Sequence, residues 1–262
     1  MPASNATSRF SDRVENYVRY RPGYPPEVLQ TLASECGLEP NHVVADIASG
    51  TGIWSRMLLE NGNCVFGVEP NAEMRGAGER LLARFPKFIS SAGTAEATTL
   101  ADQRVDFVTA AQAAHWFDRK RAREEFLRIL RPGGWLVLLW NQRCTDSTPF
   151  LRAYEQLLLR YGTDYQDVRH ENTSRAVNEF FDPAPFRERT FDMRQEFEYE
   201  GLEGRLLSSS YVPGPQHPKH APMLGELRRM FDAYAVVGRV AFEYETHMFF
   251  GRLSWSDFLR ES

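Results

Sequence analysis

The sequence predicts an α/β fold with a largely parallel sheet. Three observations support this prediction. Short apolar runs alternate with segments of helical period through the first two-thirds of the 262 residues, and such alternation is typical of βαβ units. A glycine-containing segment, Asp46–Gly52, lies at the junction of the first predicted strand and the first predicted helix. Val105–Ala110 is apolar almost throughout, as expected of a strand covered by helices on both faces.

The predicted elements follow from this alternation. The predicted strands are Val43–Ala48, Cys64–Glu69, Phe88–Ser90, Val105–Ala110, Trp135–Trp140, Phe186–Phe197 and Val240–Phe250. The predicted helices are Ile53–Asn61, Ala72–Phe85, Arg119–Leu130, Phe150–Tyr161, Gly201–Ser209 and Ala221–Ala235. In the second of these helices we expect Leu81, Leu82 and Phe85 to share one face. The cluster 131–134 (Arg-Pro-Gly-Gly) is expected to end the third, because proline cannot continue a helix and glycine permits positive φ.

Composition argues against several classes of protein. A formal net charge of −4 provides no basic excess for nucleic acid or an anionic membrane surface. The 3 cysteines are odd in number and widely separated, so neither a disulfide framework nor a thiolate metal site is expected. Because no signal peptide and no apolar run of bilayer length is visible, we expect a soluble, cytoplasmic protein.

The segment Asp46–Gly52 carries the strongest chemical signal. Gly50 and Gly52 let the backbone turn sharply and approach a ligand, with the N–H groups of the following helix facing it. Glu69 ends the second predicted strand, 17 residues after Gly52, where a carboxylate can accept hydrogen bonds from both ribose hydroxyls. A tight turn without a ligand and a plain dinucleotide-binding fold both remain alternatives for these residues.

Several motifs resemble those of class I S-adenosylmethionine-dependent methyltransferases. VVADIASGTG resembles their first motif, with Ala48 in place of its first glycine, and we expect this methyl group to shift the ligand slightly. GVEPNAEM and GTAEATTL resemble the second and third motifs, and VDFVTAAQAAHWFD and RPGGWLVLLWN those of the fourth and fifth strands. The sequences YVRYRPGYP and QAAHWF are similar to the type 11 group, which includes enzymes similar to trans-aconitate methyltransferases.

The resemblance implies a fold and a domain organisation. The expected fold is a Rossmann-like three-layer α/β/α sandwich, with a seven-stranded, mostly parallel sheet and an antiparallel last strand. The chain would form a single methyltransferase domain over residues 1–262. Its expected parts are an N-terminal helical lid segment (1–40), a cofactor-binding half (41–145) and a substrate-side half (146–262) with an insert at 200–236.

The resemblance also implies S-adenosyl-L-methionine as cofactor and a set of site residues. The expected cofactor-binding residues are Asp46, Ala48, Ser49, Gly50, Gly52, Glu69, Pro70, Met74, Thr94, Ala95, Glu96, Gln112 and Ala113. Tyr17, Arg21, Tyr24 and Trp116 are expected near the substrate, and His115 is the candidate base or substrate hydrogen-bond partner. Two alternatives stay open: His115 bonded to backbone at a strand end, and Arg21 within a helix-entry turn.

The predicted function is methyl transfer to a small-molecule acceptor by in-line displacement, with a carboxylate or hydroxyl acceptor favoured. Neither a metal nor a nucleic acid is expected, and the protein is expected to be a monomer or homodimer. The alternatives are a nicotinamide-dependent oxidoreductase, disfavoured by Gly-Thr-Gly in place of G-x-G-x-x-G, and a non-catalytic S-adenosylmethionine-binding protein. Residues 208–220 are predicted to form a surface loop, in which His217 and His220 have metal-like spacing but no nearby acid or cysteine.

Overall fold

A mixed seven-stranded sheet forms the centre of the molecule. The computed structural model describes residues 14–165, 173–182 and 184–253. In these ranges the strand order is β3-β2-β1-β4-β5-β7-β6. Neighbours from β3 to β5 pair in parallel, whereas β7 pairs antiparallel with both β5 and β6. The prediction of a mostly parallel sheet with an antiparallel last strand is confirmed.

The element bounds lie close to those predicted. The strands are β1 (Val43–Ile47), β2 (Cys64–Val68), β3 (Phe88–Ser91), β4 (Val105–Ala111), β5 (Leu130–Arg143), β6 (Phe186–Phe197) and β7 (Val240–Arg252). The helices of the described residues are α1 (Val14–Tyr20), α2 (Glu27–Cys36), α3 (Ile53–Glu60), α4 (Ala72–Leu82), α5 (Arg119–Ile129), α6 (Pro149–Tyr161), α7 (Thr173–Phe181), α8 (Tyr199–Leu207) and α9 (His220–Tyr234). None of these helices has the length and apolar character needed to cross a membrane.

Polar side chains fix the starts of the helices that follow the strands. Asn71 precedes α4, and its Oδ1 accepts hydrogen bonds from the backbone N–H groups of Glu73 and Met74. Asp118 and Thr148 make the equivalent bond at the starts of α5 and α6. Each such cap satisfies a backbone donor that has no partner within the helix and contributes about 1 kcal/mol.

Apolar helix faces cover both sides of the sheet. On one side, Leu32 of α2 and Leu58 of α3 pack with Phe107 of β4. On the other side, Phe126 of α5 and Phe180 of α7 stack with ring centroids 6.1 Å apart and pack with the opposite faces of the strands. The expected three-layer α/β/α sandwich is therefore confirmed.

A second hydrophobic core lies beyond the ends of β6 and β7. Helices α6, α8 and α9 meet there around Phe242 of β7, which contacts Tyr154 and Phe197 edge to face. This core gathers helices from the second half of the chain next to the edge of the sheet where β5 ends. It places their polar residues opposite the ends of β1 and β4.

One expectation about the elements was wrong. Leu81 is 48% exposed, because the buried face of α4 is formed by Met74, Gly78 and Leu82, which lie four residues apart. Helix α5 ends at Ile129, next to the cluster 131–134 as expected, and the strand β5 that follows includes these residues as an irregularity opposite the step from Val105 to Phe107. No helix was predicted where α7 lies.

Candidate cofactor and acceptor site

A cavity of about 690 Å³ opens where β1, β4 and β5 end. Parallel strands bring their carboxyl ends to one edge of a sheet, and Asp46 lies level with Gly67 on β2 and Thr109 on β4. The segments that follow these strands therefore emerge side by side. Ligands of open α/β sheets bind at this edge.

The turn after β1 is held in an unusual backbone conformation. Ala48, Gly50 and Gly52 all have positive φ, at 55°, 57° and 83°. Ala48 and Gly50 line the cavity. Left-handed conformation costs a residue with a Cβ about 1–2 kcal/mol, so Ala48 carries strain where the family motif has glycine.

The two glycines of this turn have different roles. A Cβ on Gly50 would meet Met74 at an ordinary 3.5 Å, whereas a Cβ on Gly52 would lie only 2.5 Å from Leu82 Cδ1. Gly52 does not line the cavity. A glycine is required at position 52 because of its positive φ and the packing of α3 against α4, and not because a ligand approaches closely.

The carboxylate of Glu69 ties the turn to the end of β2. Its Oε2 accepts a hydrogen bond from Gly50 N at 2.9 Å, and its Oε1 accepts one from Asn71 N at 2.8 Å. Burial raises the pKa of Glu69, and the bonds from Asn71 and Gly50 act to lower it. Because each carboxylate oxygen has two acceptor positions, each can still accept one more hydrogen bond.

Asp46 places a second buried carboxylate at the cavity. Its Oδ2 accepts a hydrogen bond of 2.6 Å from Ser55, while Oδ1 and the nearby Thr51 hydroxyl are buried with no hydrogen-bond partner among the described residues. Burial raises the pKa of Asp46 to about 7, against the opposing effect of Ser55. Both Asp46 and Thr51 line the cavity. Buried polar atoms of this kind fit a bound polar and cationic ligand.

The segment after β4 forms another wall of the cavity. Gln112 has a φ of 63°, and its Nε2 donates to Asn141 O at 3.2 Å. A short 3-10 turn, Ala114–Trp116, follows. His115 and Trp116 both line the cavity, and their ring centroids lie 4.7 Å apart. Ala113 is buried beside them but does not line it.

Three residues of the N-terminal segment contribute to the cavity wall. Arg21, Pro22 and Tyr24 line it. Arg21 Nη2 donates to Ser208 O at 3.0 Å, and the ring of Tyr24 packs edge to face on Trp54 with centroids 5.5 Å apart. Tyr17 lies in α1, but its side chain is outside the described part of the chain.

The wall furthest from the glycine turn contains arginine and tyrosine side chains that the sequence analysis missed. At the end of β5, Arg143 forms an ion pair of 2.5 Å with Glu155 of α6 and a hydrogen bond of 3.0 Å with Tyr165 OH. Arg205 of α8 donates to Tyr244 OH at 3.3 Å. These residues are far apart in the sequence and form no motif, and only the tertiary fold brings them together.

Tyr211 lies in the same wall. Burial acts to raise its pKa, but the positive charges of Arg205, Arg21 and Arg143 outweigh this effect and lower the pKa. The segment 208–220 is therefore more than the surface loop expected from the sequence. Its first residues, Ser208 and Ser209, are fully buried, and Ser210 and Tyr211 line the cavity.

The cavity unites only part of the predicted site. The predicted residues that line it are Asp46, Ala48, Ser49, Gly50, Gln112, His115, Trp116, Arg21 and Tyr24. Those that do not line it are Gly52, Glu69, Pro70, Met74, Thr94, Ala95, Glu96 and Ala113. Of this second group, Glu69 touches the cavity wall through Gly50, and Glu96 accepts a hydrogen bond of 2.9 Å from Asp118 N.

The histidines of segment 208–220 make local contacts. His217 Nδ1 accepts a hydrogen bond from Lys219 N at 3.1 Å, and His220 Nδ1 lies 2.9 Å from Pro213 O. In the ranges that the structure describes, no group of three potential ligand residues could hold a metal ion.

Comparison with known proteins finds a family match for the part of the chain that runs from β1 to β5. Residues 45–138 match the family model described as a methyltransferase domain. An uncharacterised methyltransferase of Mycobacterium tuberculosis is 38% identical over 158 residues, covering 60% of this chain and 62% of the relative. An uncharacterised methyltransferase-like protein of Schizosaccharomyces pombe is 31% identical over 156 residues, covering 59% of each chain. The matches thus span about three fifths of the length of these relatives.

A solved structure from Anaeromyxobacter dehalogenans, described as a type II methyltransferase, shares the fold. Its TM-score is 0.68 at 24% identity, covering 89% of this chain and 98% of the other. The family match assigns residues 45–138 to a methyltransferase domain, and the solved structure shows that the chain shares the fold of such proteins. The cofactor of this domain is S-adenosylmethionine.

The residues present fit that cofactor. The strained turn over Ala48 and Gly50 forms a cradle for backbone approach, and Glu69 beside it keeps free acceptor positions. Asp46 Oδ1 offers a buried, unpaired acceptor. A ligand that has ribose hydroxyls and positive charge matches both groups.

Proposed function

We propose that this protein transfers a methyl group from S-adenosylmethionine to an oxygen of a small acceptor molecule bound in the same cavity. The observation that carries the proposal is the continuous cavity of about 690 Å³, which is lined at one end by Asp46 and Gly50 and at the other by Arg205 and Tyr211. A volume within the usual range for ligand pockets suits small molecules.

The residues of the chain would act mainly by binding and positioning. When bound, S-adenosylmethionine supplies an activated methyl group: the acceptor's lone pair bonds to the methyl carbon while the carbon–sulfur bond breaks and its electron pair stays on sulfur. Glu69 would accept the ribose hydroxyls, and the turn over Ala48 and Gly50 would contact the ligand through backbone. Asp46 would hold the positively charged end. Holding reactants in line is the largest contribution expected of such a site.

His115 would serve the acceptor. It lies in the cavity wall, on the segment that follows β4, and its ring packs against that of Trp116. For a hydroxyl acceptor His115 would take the proton that is lost as the oxygen is methylated. A carboxylate acceptor carries no such proton, and His115 would then donate or accept a positioning hydrogen bond. The lid residues Arg21 and Tyr24 would exclude water from the reacting atoms.

Calorimetric titration distinguishes this function from the oxidoreductase alternative. We expect S-adenosylhomocysteine, the product form of the cofactor, to bind with one molecule per chain, and NADH to give no heat of binding. Saturable NADH binding that excludes S-adenosylhomocysteine would contradict the proposal. Binding of S-adenosylhomocysteine without methyl transfer to any acceptor would favour the non-catalytic alternative.

A further inference from the structure

The wall of the cavity furthest from the glycine turn has an excess of buried positive charge. Arg143 is neutralised there by Glu155 at 2.5 Å. Arg205 is buried, with a relative exposure of only 6%, yet within the described ranges it forms no ion pair. A buried guanidinium that is not neutralised is costly, because water no longer solvates its charge.

The hydrogen bonds of Arg205 leave one edge of the guanidinium open. Its Nε donates to Tyr244 OH and its Nη1 to Ser209 Oγ, both at 3.3 Å. Its remaining nitrogen, Nη2, makes no hydrogen bond within the described part of the chain, and Arg205 lines the cavity. Both of these hydrogen-bond partners are neutral hydroxyl groups at long distance, so neither compensates the positive charge of Arg205.

The acidic residues that line the cavity do not neutralise this arginine. Asp46 lies in the turn region and bonds Ser55. Glu245 is half-exposed and lies 3.6 Å from His247 Nε2, and Asp146 is exposed. The electropositive character of this wall also acts on Tyr211, whose pKa the neighbouring arginines lower.

We infer that Arg205, with Tyr211 beside it, binds a carboxylate group that anchors the acceptor molecule. The inference rests on the proposed function and names its substrate class: small molecules that carry a carboxylate in addition to the oxygen that is methylated. The planar fork of arginine matches a carboxylate, and hydrogen bonds between charged groups are stronger than those between neutral ones. A carboxylate held in this ion pair is a weaker nucleophile, so it orients the acceptor and a second oxygen receives the methyl group.

Binding of matched acids and amides tests the inference without requiring turnover. The probes are benzoate, succinate and citrate, each compared with its amide, at fixed ionic strength and with S-adenosylhomocysteine present. Thermal shift and calorimetry measure the affinity. We expect at least one acid to bind more tightly than its amide and to raise the Tm. We expect Arg205→Met to weaken the binding of that acid by about tenfold to a hundredfold.

Further variants separate ligand contact from a structural role. Arg205→Lys keeps the charge but loses the fork, and Tyr211→Phe removes only a hydroxyl; we expect smaller losses of acid affinity, with amide affinity unchanged. If Arg205→Met does not fold, these two variants are the test. Arg194→Met is the matched control, because Arg194 is 63% exposed and pairs with Glu196 on the surface.

The outcomes distinguish this inference from the proposed function. No preference of the wild type for any acid over its amide, or acid affinity unchanged in Arg205→Lys and Tyr211→Phe, overturns the inference while S-adenosylhomocysteine still binds. A wild type that does not bind S-adenosylhomocysteine overturns the proposed function instead. The titration with acids and amides is then repeated with the ligand-free protein, and its result decides the inference on Arg205.

Discussion

The two ends of the cavity are built from different parts of the chain and from different kinds of atoms. At the β1 end, the turn from Ala48 to Gly52 lines the cavity through Ala48 and Gly50, which both have positive φ, and the carboxylate of Glu69 bonds the Gly50 backbone directly. At the opposite end, long side chains meet from β5, α8 and the segment after α8, notably Arg143, Arg205 and Tyr211.

This difference determines which end of the cavity can change its residues by substitution and which cannot. A backbone site tolerates few changes, because positive φ and close packing restrict the residues that fit, as the 2.5 Å approach of a Cβ on Gly52 to Leu82 shows. A site made of side chains can be altered by single substitutions without disturbing the sheet. One scaffold can therefore keep one cofactor and accept different small molecules.

The largest expected effect concerns His115, which lies between the two ends. If the methylated oxygen is a hydroxyl, His115→Ala should lower kcat by about 10²–10⁴ because the proton acceptor is lost. Affinity for S-adenosylhomocysteine should be unchanged, and steady-state kinetics with calorimetry measure both. A variant with full turnover and full acceptor affinity would show that His115 has a structural role.

The next effect concerns the backbone end. Glu69→Ala should weaken binding of S-adenosylhomocysteine by roughly a hundredfold to ten-thousandfold, because two charge-assisted hydrogen bonds at about 1.5–3 kcal/mol each are lost. Glu60→Ala is the control, since Glu60 forms only surface ion pairs. Unchanged affinity in a folded Glu69→Ala variant would remove Glu69 from the cofactor site.

A third effect is a pH dependence confined to the cofactor end. Burial raises the pKa of Asp46 from 3.8 to about 7, so the folded, ligand-free protein holds a proton that must leave before a cation binds. Affinity for S-adenosylmethionine should therefore rise by up to about tenfold per pH unit below 7 and level off above it.

The raised pKa of Asp46 also makes the free energy of unfolding decrease as pH rises, whereas the cofactor affinity increases. The folded state binds more protons at this group than the unfolded state, so its contribution to the free energy of unfolding is fully present below pH 3.8 and is lost as pH rises through about 7. Asp46→Asn should flatten both profiles. Profiles that keep their slope in Asp46→Asn would assign the titration to another group.

The smallest effect is a gain in stability. Ala48 has a φ of 55°, so Ala48→Gly relieves about 1–2 kcal/mol of strain, while the added freedom of the unfolded chain offsets about 0.4–1 kcal/mol. Denaturant unfolding should show a net stabilisation of about 0.5–1 kcal/mol. Destabilisation would mean that the turn gains more from the alanine methyl group than it loses in strain.

The contrast between the two ends also explains what the sequence could predict. The sheet, most helices and the turn over residues 46–52 follow from local patterns, because backbone geometry requires particular residues at fixed spacing. Arg143 meets Glu155, and Arg205 meets Tyr244, only when β5, α6, α8 and β7 fold together, so no spacing signals these pairs. The exposed position of Leu81 and the helix α7 depend in the same way on packing that a single sequence does not reveal.

The central claim is that cofactor and acceptor share one cavity and react there. Mass spectrometry of a reaction with S-adenosylmethionine labelled with ¹³C in its methyl group and a pool of hydroxy acids tests this most directly. We expect one acid to gain a labelled methyl group with the wild type, and the product to fall sharply with Glu69→Ala and with Arg205→Met. The account would be contradicted if the label stayed entirely on S-adenosylmethionine. It would also be contradicted if both variants formed as much product as the wild type.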